Sequence, residues 1–165
     1  MIINFFDSEV ISENCKGKIK SLFDWVLQSL NQPEDLEINI SFVSEEEIKE
    51  VNSETRNVDK VTDVLSFPFF NLKVGEVVDL SDDYYLSNIN PETSCFLLGD
   101  MLICSDYSKK QAEELNNSFE DEVIKLALHS LLHCLGYDHI EDSDYEIMHA
   151  LEEKILSENG YKINY

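Results

Sequence analysis

Residues 119 to 135 constrain the fold more than any other stretch. Phe119, Val123, Ile124, Leu126, Ala127, Leu128, Leu131, Leu132, Cys134 and Leu135 leave this helical segment apolar on most sides. A helix of that kind is surrounded by other elements, not laid on a surface. It is therefore predicted as the central helix. Ser118 can cap its start, and Gly136 can take the left-handed backbone that ends it. The 165 residues suit one domain, residues 1–165. At that length roughly two-thirds of the unfolded surface can be buried around a single core.

The other elements follow from periodicity. Met1 to Asp7 reads as a first strand. Ile19, Leu22, Phe23, Val26, Leu27 and Leu30 recur at helical spacing, which predicts a helix over about 14–31 that stops before Pro33. Leu36, Ile38, Ile40 and Phe42 alternate with polar residues, the pattern of a half-buried strand. Ser44 and Glu47 form a capping box for a short helix. Val61 to Phe70 reads as a strand ending around Pro68. Residues 71–93 carry Gly75, Asp82-Asp83 and Pro91 and predict a surface excursion or hairpin. A strand over 95–104, a helix over about 107–117 and a last helix over about 143–158 complete the chain. About four strands and about five helices without regular βαβ alternation indicate an α+β fold. No apolar run reaches the 18 or so residues of a membrane span, and the first residues lack signal-peptide features. The expectation is a cytoplasmic protein with no membrane role.

The central helix also carries the chemistry. His129 and His133 are four residues apart, so both rings leave one helix face. A bend at Gly136 can return the chain and bring His139 to the same point. Three neutral imidazoles suit one Zn²⁺ and leave a fourth tetrahedral position open, as a catalytic zinc requires. The predicted metal site thus lies at the end of the central helix. His149 stands apart and reads as an ordinary core or surface histidine. The spacing H-x-x-x-H-x-x-G-x-x-H also matches the metzincin protease ligand pattern. Those enzymes place a Glu base directly after the first His. Here that position is Ser130, whose neutral hydroxyl cannot take a proton at pH 7 as a carboxylate can.

The window His129-Ser130-Leu131-Leu132-His133-Cys134-Leu135-Gly136-Tyr137-Asp138-His139 resembles the signature of the YbeY family of bacterial endoribonucleases and rRNA-maturation factors, H-G-x-L-H-L-x-G-Y-D-H. Ser130 replaces the usual Gly and Cys134 the usual Leu. Residues 52–68 are similar to the family's N-x-x-x-R-x-x-D-x-x-T-D-V-L-S-F-P, with Thr55 and Val61 in place of an aromatic and a proline. Gly99-Asp100-Met101-Leu102-Ile103 resembles its G-D-I-x-I strand. The three blocks occur in the family's order. The resemblance implies a mixed sheet packed against helices, with the metal in a cleft. It implies a single-strand-specific endoribonuclease that matures the 3′ end of small-subunit 16S rRNA and serves ribosome quality control. Its partners would be single-stranded rRNA and the small ribosomal subunit with its proteins, and not DNA.

The family treats as essential the arginine matching Arg56, which is also the chain's one arginine. A planar guanidinium holds a phosphate through two parallel hydrogen bonds, which lysine cannot do. A structural salt bridge to Asp59 or Asp63 is the competing role. Asp63 and Asp100, on predicted strands, would orient loops or a ligand histidine; Asp138 could orient His139 or assist proton transfer. A metal that polarises a phosphoryl oxygen, with Arg56 steadying the developing charge, is the expected mechanism. Two alternatives stand beside it: a zinc hydrolase with a non-RNA substrate, and a noncatalytic metal-binding ribosome assembly factor.

Charge is the awkward feature. Thirty-four Asp and Glu face 12 Lys and Arg, a formal net charge of −22. Tight binding to naked nucleic acid depends on neutralising phosphates with cations. Lys16, Lys18 and Lys20, or Lys109 and Lys110, could form a patch beside Arg56 or be solvated helix faces. The preferred resolution is that a basic ribosomal protein docks the acidic chain. Cys15, Cys95, Cys104 and Cys134 form no C-x-x-C pair and read as small buried hydrophobes.

Overall fold

The computed structural model describes residues 1–81, 83–137 and 142–165. The elements run β1 (Ile2–Phe6), α1 (Glu13–Ser29), β2 (Leu36–Val43), α2 (Glu45–Arg56), β3 (Val64–Pro68), a 3₁₀ helix (Asp83–Asn88), β4 (Phe96–Cys104), α3 (Ser105–Leu115), α4 (Phe119–Cys134) and α5 (Asp142–Glu158). The four strands form one mixed sheet in the order β1-β2-β4-β3. β1, β2 and β4 are parallel, and β3 runs antiparallel on the edge beside β4. The α+β architecture is as the sequence predicts. No helix among the described residues is long and apolar enough to cross a membrane.

Serine caps start three helices. The Ser12, Ser44 and Ser118 side chains accept from the backbone N–H of Cys15, Glu47 and Asp121, and Ser44 with Glu47 completes the capping box. α4 is central, as its composition requires: Val123, Ile124, Ala127, Leu128, Leu131 and Leu132 are fully buried. One sheet face, with Ile38, Ile40, Met101 and Ile103, packs with α1 and α4 in the main core. Burying each such side chain favours folding by about 1.5–3 kcal/mol. On the other face Leu65 and Cys104 meet Ile48 of α2 in a smaller cluster.

Several expectations need correction. β2 keeps the expected alternation, with Leu36, Ile38, Ile40 and Phe42 buried and Asn39 and Ser41 half-buried, but Glu37 is buried as well. The strand lies between two others, and Glu37 and Asn39 bond across the sheet. Asn4 donates to Asn39 Oδ1 (2.9 Å) and Asn39 donates to Asp100 Oδ1 (2.8 Å). Glu37, 1 % exposed, accepts from Asn4, Asn90 and Thr93. Asp100 thus orients β2. The 71–93 excursion contains the 3₁₀ helix and also contributes Val78 to the core. Gln32 holds that segment from α1's exit, donating to the Glu76 carbonyl (2.8 Å) and accepting from the Val78 N–H (2.9 Å). α3 starts two residues before its predicted position, immediately after β4. Cys15, Cys104 and Cys134 are buried as predicted, but Cys95 is half-exposed. Burial pushes the thiols of Cys15 and Cys134 up to about 12, which keeps them protonated and inert.

Candidate functional site

β3 and the C-terminal half of α4 line one cleft of about 890 Å³, with α5 as a further wall. His129 and His133 leave the same face of α4, and their Nε2 atoms stand 3.0 Å apart. Two nitrogens ligating one tetrahedral zinc at 2.0–2.1 Å would be roughly 3.3 Å apart, so the pair fits shared coordination. His133 lies in the last turn of α4, where the negative end of the helix dipole favours a cation. The turn that follows depends on Gly136 at φ +87°; an added Cβ would stand 2.6 Å from the Leu72 carbonyl oxygen. The left-handed glycine predicted from sequence is therefore in place. His139 and Asp138 lie outside the described residues. Among the described residues, no group of three His, Cys, Asp or Glu is arranged to hold a metal.

Glu152 of α5 was not anticipated. Its Oε1 accepts from His129 Nδ1 at 2.6 Å, and it is 6 % exposed. A carboxylate accepts and does not donate. It therefore holds the His129 proton on Nδ1 and leaves the Nε2 lone pair directed at His133. Carboxylate–histidine pairs of this kind orient metal ligands and raise their basicity. A signal was present: Glu152 sits among Met148, Ile155 and Leu156, the buried stripe of α5. A charge at a core position of an amphipathic helix needs a partner.

Arg56 ends α2 and reaches over the edge strand β3. Its guanidinium donates to the Ser66 carbonyl at 2.9 Å and lies 5.7 Å from the Phe67 ring centroid. Among the described residues it makes no ion pair. Asp59 pairs with Lys49 (3.4 Å), and Asp63 accepts from Thr62 and from the Val64 N–H. The remaining N–H groups of the five on a guanidinium can serve a ligand. The polar residues of the 52–68 block build this position. Asn52 donates to the Lys60 carbonyl (2.8 Å) and pins the loop after α2. The Asp63 carbonyl accepts from the Cys104 N–H (2.8 Å) and ties the start of β3 to β4. Ser66 Oγ shares a short hydrogen bond with Ser130 Oγ, which links β3 to α4 beside His129. Ser130 is fully buried, so its hydroxyl acts as a staple between elements and not as a base in the cleft.

Arg56, His129, His133 and Glu152 all line the cleft. Lys125 lines it too, held by Glu122 at 2.8 Å. The lysine clusters considered from sequence do not join them. Lys16, Lys20, Lys109 and Lys110 pair with Glu13, Asp24, Asp106 and Glu45 on the surfaces of α1 and α3. His149 also lines the cleft, between Tyr145 and Tyr165.

Residues 2–160 match the family model described as Endoribonuclease YbeY. Endoribonuclease YbeY of Clostridium botulinum (strain Kyoto / Type A2) is 37 % identical over 147 residues, covering 88 % of this chain and 89 % of the relative. Endoribonuclease YbeY of Finegoldia magna is 43 % identical over 154 residues, 93 % of this chain and 88 % of the relative. The solution structure of TM1509 from Thermotoga maritima superposes with a TM-score of 0.56 at 25 % identity, covering 95 % of this chain and 91 % of that one. With the sequence blocks, the fold and near-complete coverage in agreement, the chain belongs to the YbeY family of endoribonucleases.

Proposed function

We propose that this protein is a zinc-dependent endoribonuclease for single-stranded RNA that matures the 3′ end of small-subunit 16S rRNA and serves ribosome quality control. One observation carries most of this reading. The chain's one arginine and the converging His129–His133 pair open onto the same cleft, although 73 residues (129 − 56) separate Arg56 from His129. His129, His133 and His139 would hold one Zn²⁺ per chain. When bound, the ion supplies Lewis-acid polarisation of a phosphoryl oxygen and a nucleophile at neutral pH. Glu152 keeps the His129 proton on Nδ1 throughout. Arg56, anchored to Ser66, holds the scissile phosphate and stabilises the negative charge that builds on it. The buried Ser130 supports this assignment over peptide hydrolysis.

The test compares metal-loaded wild type with an Arg56→Ala variant purified identically, on labelled single-stranded RNA ending in a small-subunit rRNA 3′ sequence. Contaminating ribonuclease would cut equally in both samples. Cleavage by wild type and not by the folded, zinc-bound variant is the expected result. Equal cleavage, or none, refutes it.

The small ribosomal subunit is the expected partner, docked through its basic proteins. Exposed Glu46, Glu50 and Glu54 form an i, i+4, i+8 acidic stripe on α2 that leads to Arg56. Replacing all three with lysine should weaken subunit binding in sedimentation; unchanged binding would exclude this face.

A further inference from the structure

The cleft has an aromatic wall that phosphodiester chemistry does not use. α5 presents Tyr145, His149 and Glu152 at i, i+4 and i+7, on one helix face. Glu152 anchors His129. At 1.5 Å of rise per residue, His149 and Tyr145 stand about 4.5 and 10.5 Å further along the axis. Tyr145 meets His149 edge-on, with centroids 5.7 Å apart at 67°. Tyr165 lies against His149, at 4.6 Å and 45°.

The segment before Tyr165 is tied down. The Asn164 N–H donates to Asn117 Oδ1 (2.9 Å), and Asn117 Nδ2 donates to the Asn164 carbonyl (2.9 Å). Asn164 Nδ2 donates to the Leu115 carbonyl (2.9 Å), and Lys125 Nζ stands 5.3 Å from the Tyr165 centroid. The ring series is thus built into the fold, yet Tyr145 is 55 % and Tyr165 46 % exposed.

Gln111 Oε1 and His149 Nδ1 are buried and, among the described residues, have no hydrogen-bond partner. Both residues line the same cleft. Buried polar atoms without partners are costly, and a native structure keeps few of them. Two exposed tyrosines beside unsatisfied polar atoms match a flat ligand with an apolar face and a hydrogen-bonding edge.

We propose that Tyr145, His149 and Tyr165 form a stacking subsite for a nucleobase flanking the scissile phosphate, with Gln111 and His149 bonding its edge. Stacking on aromatic side chains and bonding at exposed edges is how proteins hold single-stranded bases. The subsite rests on the endoribonuclease reading and gives it a source of strand selectivity. In a duplex the base faces are covered by their neighbours and cannot reach the rings.

The test is fluorescence anisotropy of the zinc-loaded protein with a short labelled single-stranded RNA. A matched series lacks the base at each position in turn, and gels verify that the RNA stays intact. For wild type, removing the base at one or two positions should weaken binding roughly 5- to 100-fold. Tyr145→Ala and Tyr165→Ala should bind the intact RNA that much more weakly and lose the dependence on that base. Tyr165→Phe, which keeps the ring, should retain it. Arg56→Ala should weaken every member of the series alike. A flat series for wild type, or alanine variants that keep the wild-type profile, overturns the subsite while leaving the nuclease reading standing. Failure of wild type to bind any member overturns both.

Discussion

Glu152→Gln tests how the histidine pair is held. The wild-type carboxylate accepts from His129 Nδ1 at 2.6 Å and is 6 % exposed, so solvent screens the bond little. A charge-assisted hydrogen bond contributes about 1.5–3 kcal/mol and a neutral one about 1. Glutamine keeps an acceptor oxygen but loses the charge, a difference of about 0.5–2 kcal/mol, or roughly 2- to 30-fold in zinc affinity. Glu152→Ala removes the acceptor altogether and should approach the 100-fold end of losses known for partners of metal ligands. Competition against a chromophoric zinc chelator at fixed pH reads both values. Cleavage by each variant should return at saturating zinc, because the ligands themselves remain. Wild-type zinc affinity in both folded variants would refute the orienting role. Cleavage that stays lost at saturating zinc would show that Glu152 acts in some other way.

Gly99→Ala places a Cβ 2.6 Å from the Phe67 carbonyl oxygen and 2.8 Å from Cys134 Sγ. Urea denaturation should show about 1–3 kcal/mol of lost stability, and adding Cys134→Ala should recover only part, since the carbonyl clash stays. Lys125→Met leaves Glu122, fully buried, with Asn117 as its remaining partner among the described residues; the same assay should read a loss of about 3 kcal/mol, and no loss would mean the ion pair is dispensable. Burial raises the Glu37 carboxyl, but hydrogen bonds from Thr93, Asn90 and Asn4 outweigh it and hold it below its ordinary value. A depressed carboxylate adds stability above its unfolded pKa and loses it as pH falls through the folded one. Stability should therefore fall with acidification below about pH 4.5, and Glu37→Gln should flatten that slope; an unchanged slope would place the acid sensitivity elsewhere.

What was legible in the sequence was what local spacing encodes. His129 and His133 are four apart on a helix, and that alone puts their nitrogens together. The apolar character of α4 on most of its sides announced its central place, and Ser44 and Ser118 marked where two helices begin. Contacts that form only on packing were hidden. Glu152 lies 23 residues beyond His129, and nothing local in α5 names its partner. Ser66 and Ser130 are 64 residues apart, so the staple joining β3, on which Arg56 is anchored, to α4 has no sequence signature. The alternation of β2 marks its buried residues, but a lone strand offers Glu37 and Asn39 only water as a partner. The fold supplied Asn4, Asp100, Asn90 and Thr93 instead. Arg56 was legible through the family resemblance, since its spacing to the histidines carries no geometric meaning until the sheet forms.

On the proposed function, RNA cleavage should depend on one metal held in the cleft that Arg56 shares. The direct measurement is metal content alongside cleavage of the same labelled RNA, for protein as purified, after chelation, and after zinc is returned. His133→Ala is carried through in parallel with circular dichroism as the check on folding. Cleavage should disappear on chelation and return as zinc approaches one equivalent per chain. The His133→Ala variant should fold but neither bind zinc tightly nor cut. Undiminished cleavage by demonstrably metal-free protein would rule out metal-dependent cleavage, and an unfolded His133→Ala variant would assign the histidines to holding the structure together.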